Sequence, residues 1–285
     1  MKNIWKKENK IYESGVQDYK YLESSYLSFN GAHIIDSTWN LSFRNEILRL
    51  LKKKKVISYN FDKLEEIHNY VLDESLLEYD FDSGVNGITK KLYDVDESFM
   101  KVYKNFIKDL YKRLKFDFYF QAYPTIRVHC PDSKNQNHYP RYHNDCFYGH
   151  PPEEINAWFS LTENNKSGFH LINFDRSKEW FGEYDYDIEK FISEAINNKG
   201  FNKNGDDLSF EVKSDLSEIF IFNSLCIHTN KPRVEDSRVS IDIRINPVDR
   251  FVDGYVGSGR MKAEFKPGGK FGYHEKSIKE LISVL

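Results

Sequence analysis

The chain has 285 residues, with 44 acidic and 41 basic side chains and a formal charge of −3. That balance excludes the one-sided basic surface of a general nucleic-acid binder, and no apolar run approaches the ~18 residues of a membrane span. Cys130, Cys146 and Cys226 form no CxxC motif and leave one thiol unpaired in any disulfide scheme, and MKNIWKKENK holds no secretory apolar segment, so a reducing, cytoplasmic setting is expected.

The first 115 residues read as a mainly helical support. SFRNEILRLLKKK offers Ser42 as a cap and sets Phe43, Ile47, Leu48 and Leu51 on one stripe. The lysines at 52–55 close that pattern, where cations complement the helix dipole and remain solvated. FDKLEEIHNYVLDESLLEY and ESFMKVYKNFIKDLYKRLKF repeat the apolar spacing, with the turn-rich YDFDSGVNGIT between them.

From about residue 116 the period changes from 3.6 to 2. FDFYFQAY, TIRVHC, INAWFSLT, GFHLINF, LSFEV, EIFIFNS and RVSIDIRIN are short aromatic and β-branched runs bounded by turn residues. One helical insert is expected near 186–198. With no repeat or linker, the chain reads as a single domain over 1–285: an antiparallel β core at 116–250 with helices packed outside it. The segment 251–285, rich in Gly, Lys and aromatics, reads as a loop or lid closed by a short helix.

Strand parity gives these runs unusual polar faces, since alternate side chains share a face. In 238–246, Val239, Ile241, Ile243 and Ile245 form one face, and Arg238, Ser240, Asp242 and Arg244 the other. Thr125, Arg127 and His129 share a face, as do Asn156, Trp158, Ser160 and Thr162. Tryptophan among polar groups suits a pocket wall better than open solvent.

Two stretches carry the chemistry. YHNDCFYGH sets His143 and Asp145 two apart on one side of an extended segment, and IHTNKPRVEDSRVSI supplies His228, then Arg238 and Ser240. Two imidazoles and a carboxylate with open positions suit non-haem Fe(II). An anionic co-substrate reaching from the metal needs a fixed cation at its far end, which an arginine fork and a nearby hydroxyl supply. The combination of H-x-D, a downstream His and R-x-S in that order is far more specific than H-x-D alone.

On these residues the chain resembles the Fe(II)/2-oxoglutarate-dependent dioxygenases, in the branch similar to phytanoyl-CoA hydroxylase. It is more loosely similar to oxygenases of bacterial carbohydrate and aminoglycoside gene clusters. The resemblance spans roughly 120–247 and implies a double-stranded β-helix, a cupin-like jelly roll. It implies His143, Asp145 and His228 as iron ligands, with Arg238 and Ser240 on the distal carboxylate of 2-oxoglutarate. Many relatives carry a Gly-rich stretch ending in P-G-S-H; ENNKSGFHLINFDRSKEW keeps Gly168 but not that ending. Asp145, being acidic, argues against halogenating variants. The implied reaction consumes O2 and 2-oxoglutarate, releases succinate and CO2, and hydroxylates, desaturates or epimerises the substrate.

Further candidates are Asn156 and Arg127 beside the co-substrate, and Tyr148, Trp158, His129 and His170 toward the substrate. Arg127, Arg244 and Arg233 favour a small hydroxylated or anionic partner, such as a sugar, nucleotide-sugar or natural-product intermediate, over a fatty acyl chain, and no nucleic-acid or membrane partner is expected. Two rivals are a cupin-like metal isomerase or dioxygenase that does not use 2-oxoglutarate and has no task for Arg238, and a carbohydrate-binding jelly roll with no need of the His-Asp-His set.

Overall fold

Two short strands, β1 (Ser28–Phe29) and β2 (Ala32–Asp36), precede helix α1 (Trp39–Lys53). The helix begins ahead of Ser42, because Ser37 Oγ accepts the Trp39 amide at 3.1 Å and starts the turn there. Its stripe is as expected, with Phe43, Ile47 and Leu51 fully buried. The next predicted helix does not form as one piece. Its residues make two 3-10 turns, Leu64–Asn69 and Glu74–Leu77. Val71 between them bridges to Ile57, and Asp73 accepts the Ser75 amide to start the second turn. Strands β3 (Tyr79–Asp80) and β4 (Val85–Asn86) and helices α2 (Gly87–Leu92) and α3 (Glu97–Leu114) follow. The computed structural model describes residues 28–29, 32–80, 85–131, 142–145, 150, 153–163, 167–213, 215–233, 235–250 and 272–283.

The β-rich part opens with β5 (Phe118–Phe120), β6 (Thr125–His129), β7 (Ile155–Ser160) and β8 (Phe169–Leu171). Three helices then intervene: α4 (Phe174–Gly182), α5 (Ile188–Asn197) and α6 (Lys199–Leu208). The insert is therefore longer than the single helix expected near 186–198. Asn173, Asp187 and Asn198 each cap a new helix start with a side-chain oxygen. Strands β9 (Phe210–Glu211), β10 (Glu218–Asn223), β11 (His228–Asn230) and β12 (Arg238–Pro247) and helix α7 (Ile278–Ser283) complete the described elements.

A seven-stranded antiparallel sheet runs β1-β2-β10-β7-β12-β5, with β6 also pairing β12. A three-stranded sheet, β11-β8-β9, lies opposite part of it. Phe169 of the small sheet meets Trp158 and Phe222 of the large one, at ring-centroid distances of 5.0 and 5.6 Å. On the outer face of the large sheet, Val239, Ile241, Ile243 and Ile245 are fully buried. There Phe159 packs on Phe43 of α1 and Phe106 of α3 at 5.4 and 5.6 Å. This is the double-stranded β-helix, with helices covering one sheet and the polar face of β12 turned inward. Among the described residues no helix is long and apolar enough to cross a membrane.

Candidate metal centre and adjoining cavity

His143 and His228 face one another across a two-way backbone bridge, each amide donating to the other's carbonyl at 3.0 and 2.8 Å. Such a mutually bonded antiparallel pair brings its side chains to the same face, and the rings stand 4.5 Å apart. Asp145 follows on that face, its amide bonded to the Ser224 carbonyl at 3.1 Å. One ligand atom from each of His143, Asp145 and His228 lies within 4.8 Å of the other two, close enough to share one divalent ion.

The surroundings fix these atoms. His228 Nδ1 lies 2.9 Å from the Cys226 carbonyl, so that nitrogen carries the proton and Nε2 keeps its lone pair for a metal. Nε2 stands 3.6 Å from Asp145 Oδ1. Asn156 on β7 donates through Nδ2 to Asp145 Oδ2 at 2.5 Å, and Arg244 Nη2 lies 3.6 Å from Oδ1. Burial alone would lift the Asp145 carboxyl, but Arg244 and the neighbouring histidines outweigh it and hold the group well below the usual carboxylate range. It is a charged oxygen, available to a cation, at neutral pH.

A cavity of about 150 Å3 adjoins the triad. Its floor is the polar face of β12, so that Arg238, Ser240, Asp242 and Arg244 all line it. The cross-strand register sets Arg238 beside His129, Ser240 beside Arg127 and Ser160, and Asp242 beside Thr125 and Trp158. Arg238 is only 1 % exposed. Its Nη1 donates to the Ser167 carbonyl at 2.7 Å, its Nη2 to Asn230 Oδ1 at 2.6 Å, and its guanidinium lies 5.6 Å from the centre of the Trp158 ring. Gly168, at φ +69°, turns the chain that presents that carbonyl; a Cβ there would press on the Lys231 carbonyl and the Arg233 guanidinium. Ser240 Oγ and Asn156 Oδ1 are buried with no hydrogen-bond partner among the described residues.

The remaining candidates divide by position. Arg127, His129 and Trp158 line the cavity. Arg127 donates to the Tyr93 hydroxyl at 3.0 Å. Burial, with Arg238, Arg127 and Arg233 adding to it, holds His129 well below the usual histidine range, so it is neutral. His170 points away from the cavity: Phe169 is the lining residue of β8, and His170 Nδ1 instead lies 3.4 Å from Ser209 Oγ. Tyr148 and residues 251–271 of the expected lid lie outside the described residues. Sequence reasoning passed over Asn230 and over the buried Glu154. Glu154 lies 2.7 Å from His150 Nδ1 and 3.3 Å from Arg244 Nε, and accepts the Tyr273 hydroxyl. Asn230 follows His228 by two, so strand parity is the signal that could have found it.

No protein-family model and no curated protein matches the chain. Among solved structures it is similar to the non-heme alpha ketoglutarate dependent carbocyclase SnoK from nogalamycin biosynthesis, at 11 % identity over 76 % of this chain and 80 % of that one, TM-score 0.43. It is likewise similar to the epimerase SnoN of the same biosynthesis, at 10 % identity over 93 % and 99 %, TM-score 0.43. A third similarity is to a prolyl hydroxylase from Trichoplax adhaerens in complex with a hypoxia inducible factor peptide fragment, at 14 % identity over 86 % and 96 %, TM-score 0.40.

Proposed function

We propose that this chain is a non-haem Fe(II)- and 2-oxoglutarate-dependent dioxygenase that hydroxylates a small polar molecule, of the class of sugars, nucleotide-sugars or natural-product intermediates. The observation that carries the reading is a His-Asp-His set and a buried arginine on one cavity, with a partnerless hydroxyl beside the arginine. A lectin-like jelly roll needs neither, and a metal enzyme that does without a dicarboxylate leaves Arg238 and Ser240 without a task.

The residues fit both groups. His143 and His228 offer ring nitrogens and Asp145 an anionic oxygen, the mixed set that suits Fe(II) and leaves coordination positions open. Asn156 and Arg244 orient and charge-balance Asp145. Arg238, already oriented by Ser167 and Asn230, presents its charge to the cavity, and the Ser240 hydroxyl supplies a donor to the same carboxylate. When bound, iron and 2-oxoglutarate supply the oxidation: O2 and the 2-oxo acid give succinate and CO2, and one oxygen atom enters a C–H bond of the substrate. The chain's own share is to hold the metal, anchor the dicarboxylate, orient the substrate and keep bulk water from the cavity.

An anaerobic thermal-shift series tests this: Mn(II), then 2-oxoglutarate, on the wild type, His228→Ala and Arg238→Ala. A ligand at about 100 times its Kd stabilises by roughly 2.7 kcal/mol, a shift of about 4–5 °C for a chain of 285 residues. The expected result is a metal shift lost in His228→Ala, and a further 2-oxoglutarate shift lost in Arg238→Ala. A metal shift with no response to 2-oxoglutarate would overturn the reading in favour of the cupin-like enzyme.

A further inference from the structure

The four polar residues of the inward face of β12 are not equally engaged. Arg238 is bonded to Ser167 and Asn230, Arg244 is held between Asp145 and Glu154, and Ser240 stands beside Arg238. Asp242 lines the cavity between Ser240 and Arg244, yet among the described residues its carboxylate accepts no hydrogen bond and forms no ion pair. Its direction is fixed, because Ile241 and Ile243 on either side are fully buried in the outer core and parity turns Asp242 inward. It also lies outside the metal set, which consists of His143, Asp145 and His228.

Asp242 is half-buried, and a carboxylate partly withdrawn from water is costly unless a cation or donors meet it. Burial lifts the Asp242 carboxyl above its usual range even with Arg244 and Arg127 opposing the rise. Neither arginine closes on it: Arg244 is committed to Asp145 and Glu154, and Arg127 opposes Ser240 and is tied to the Tyr93 hydroxyl. A ligand cation in the cavity would complete the carboxylate, whereas an anionic group placed there would meet like charge.

We propose that Asp242 anchors a protonated amine of the substrate, so that the molecule accepted here is a small hydroxylated amine and not an anionic sugar. As a statement about the oxidised substrate this rests on the dioxygenase reading; as a statement about binding it does not. Arg127, across the strand pair, is then placed to hold a hydroxyl of the same molecule. A charged hydrogen-bonded contact of this kind makes the amine bind roughly 10- to 100-fold more tightly than its neutral counterpart.

The test uses the full chain, anaerobically, with and without Mn(II) and 2-oxoglutarate. The probes are D-glucosamine and ethanolamine, each against its N-acetylated counterpart, with D-glucose and D-glucuronate as neutral and anionic controls. Binding is read by thermal shift and titration, and succinate release is read in air. The expected result is that an amine shifts the protein while its acetylated form does not. Asp242→Asn and Asp242→Ser should lose that response and keep the shift from Mn(II) and 2-oxoglutarate. No response to either amine, equal binding of the acetylated form, preference for glucuronate, or an undiminished amine response in both variants would each overturn the proposal. Should the wild type ignore Mn(II) and 2-oxoglutarate, the dioxygenase reading fails by itself. The amine arm, read on the protein alone, still decides the role of Asp242.

Discussion

Gly205 of α6 lies against the face of the Tyr142 ring so closely that a Cβ added there would overlap the ring. Tyr142 immediately precedes His143 of the candidate metal set. Its hydroxyl donates to Asp206 at 2.8 Å and lies 2.8 Å from Ser209 Oγ, and its ring packs edge-on against Trp180 at 5.7 Å. Lys231, close after His228, reaches over the same ring at 5.0 Å and pairs with Asp206. The helical insert thus clamps the chain on both sides of the bridged histidines.

Gly205→Ala follows from that contact as a selective lesion. Alanine improves helix propensity by about 1 kcal/mol, but overpacking against a ring that is 2 % exposed costs about 1–3 kcal/mol. The net effect is mild destabilisation with displacement of Tyr142, and with it His143. Co(II) titration followed by visible absorption should show metal binding about tenfold weaker. Unchanged affinity together with lowered stability would mean that the clamp serves folding only.

Asn156→Leu tests the other side of the centre. The substitution removes the donor to Asp145 Oδ2 and leaves a buried charged oxygen unsatisfied. Metal affinity should fall about 10- to 100-fold, and Asn156→Gln should not restore it, because the longer amide misses the 2.5 Å contact. Isothermal titration with Mn(II) reads both variants.

The reach of sequence reasoning can be judged residue by residue. RVSIDIRIN alternates strictly over a long run, so its buried and cavity faces were legible before any coordinates. His-Thr-Asn at β11 has no apolar alternation and is three residues long, so only parity counted from His228 pointed to Asn230. His170 was separable by the same parity, since Phe169 and Leu171 alternate against it. The segment 61–79 has helical periodicity, but the bridge from Val71 to Ile57 overrides it. The Glu154–Arg244–Tyr273 cluster joins positions whose contact depends on tertiary placement alone. β2 lies in the part expected to be helical, yet pairs along β10 for five residues.

Asp96 ties α3 to α1 and provides a pH signature away from the site. It caps α3 through the Phe99 amide at 3.3 Å and accepts Arg49 at 2.5 Å and Lys53 at 2.8 Å. Its bonds to Arg49 and Lys53 hold its carboxyl well below the usual range. A depressed folded value means the stabilisation is complete above the unfolded pKa of about 3.9 and disappears as pH falls below it. Asp96→Ala should therefore cost about 1 kcal/mol at pH 7, chiefly through the lost cap, with solvent screening the ion pairs. The gap to the wild type should narrow steadily between about pH 5 and pH 2 in urea denaturation. A gap that stays constant with pH would refute the charge contribution.

Ser240→Ala separates binding from folding. In the protein alone, Ser240 Oγ is buried and makes no hydrogen bond among the described residues, so deleting it removes an unsatisfied polar atom and leaves stability unchanged or slightly raised. With 2-oxoglutarate, the same deletion removes a donor to a charged carboxylate, a loss of about 1.5–3 kcal/mol and so roughly a 10- to 100-fold rise in Kd. Arg238→Lys should weaken 2-oxoglutarate further and also destabilise the fold. An ammonium cannot span both the Ser167 carbonyl and Asn230 while facing the cavity. Anaerobic titration of the Mn(II)-loaded variants with 2-oxoglutarate, beside their unfolding temperatures, checks both at once. A destabilised Ser240→Ala that keeps full 2-oxoglutarate affinity would assign the hydroxyl to packing and move the co-substrate away from β12.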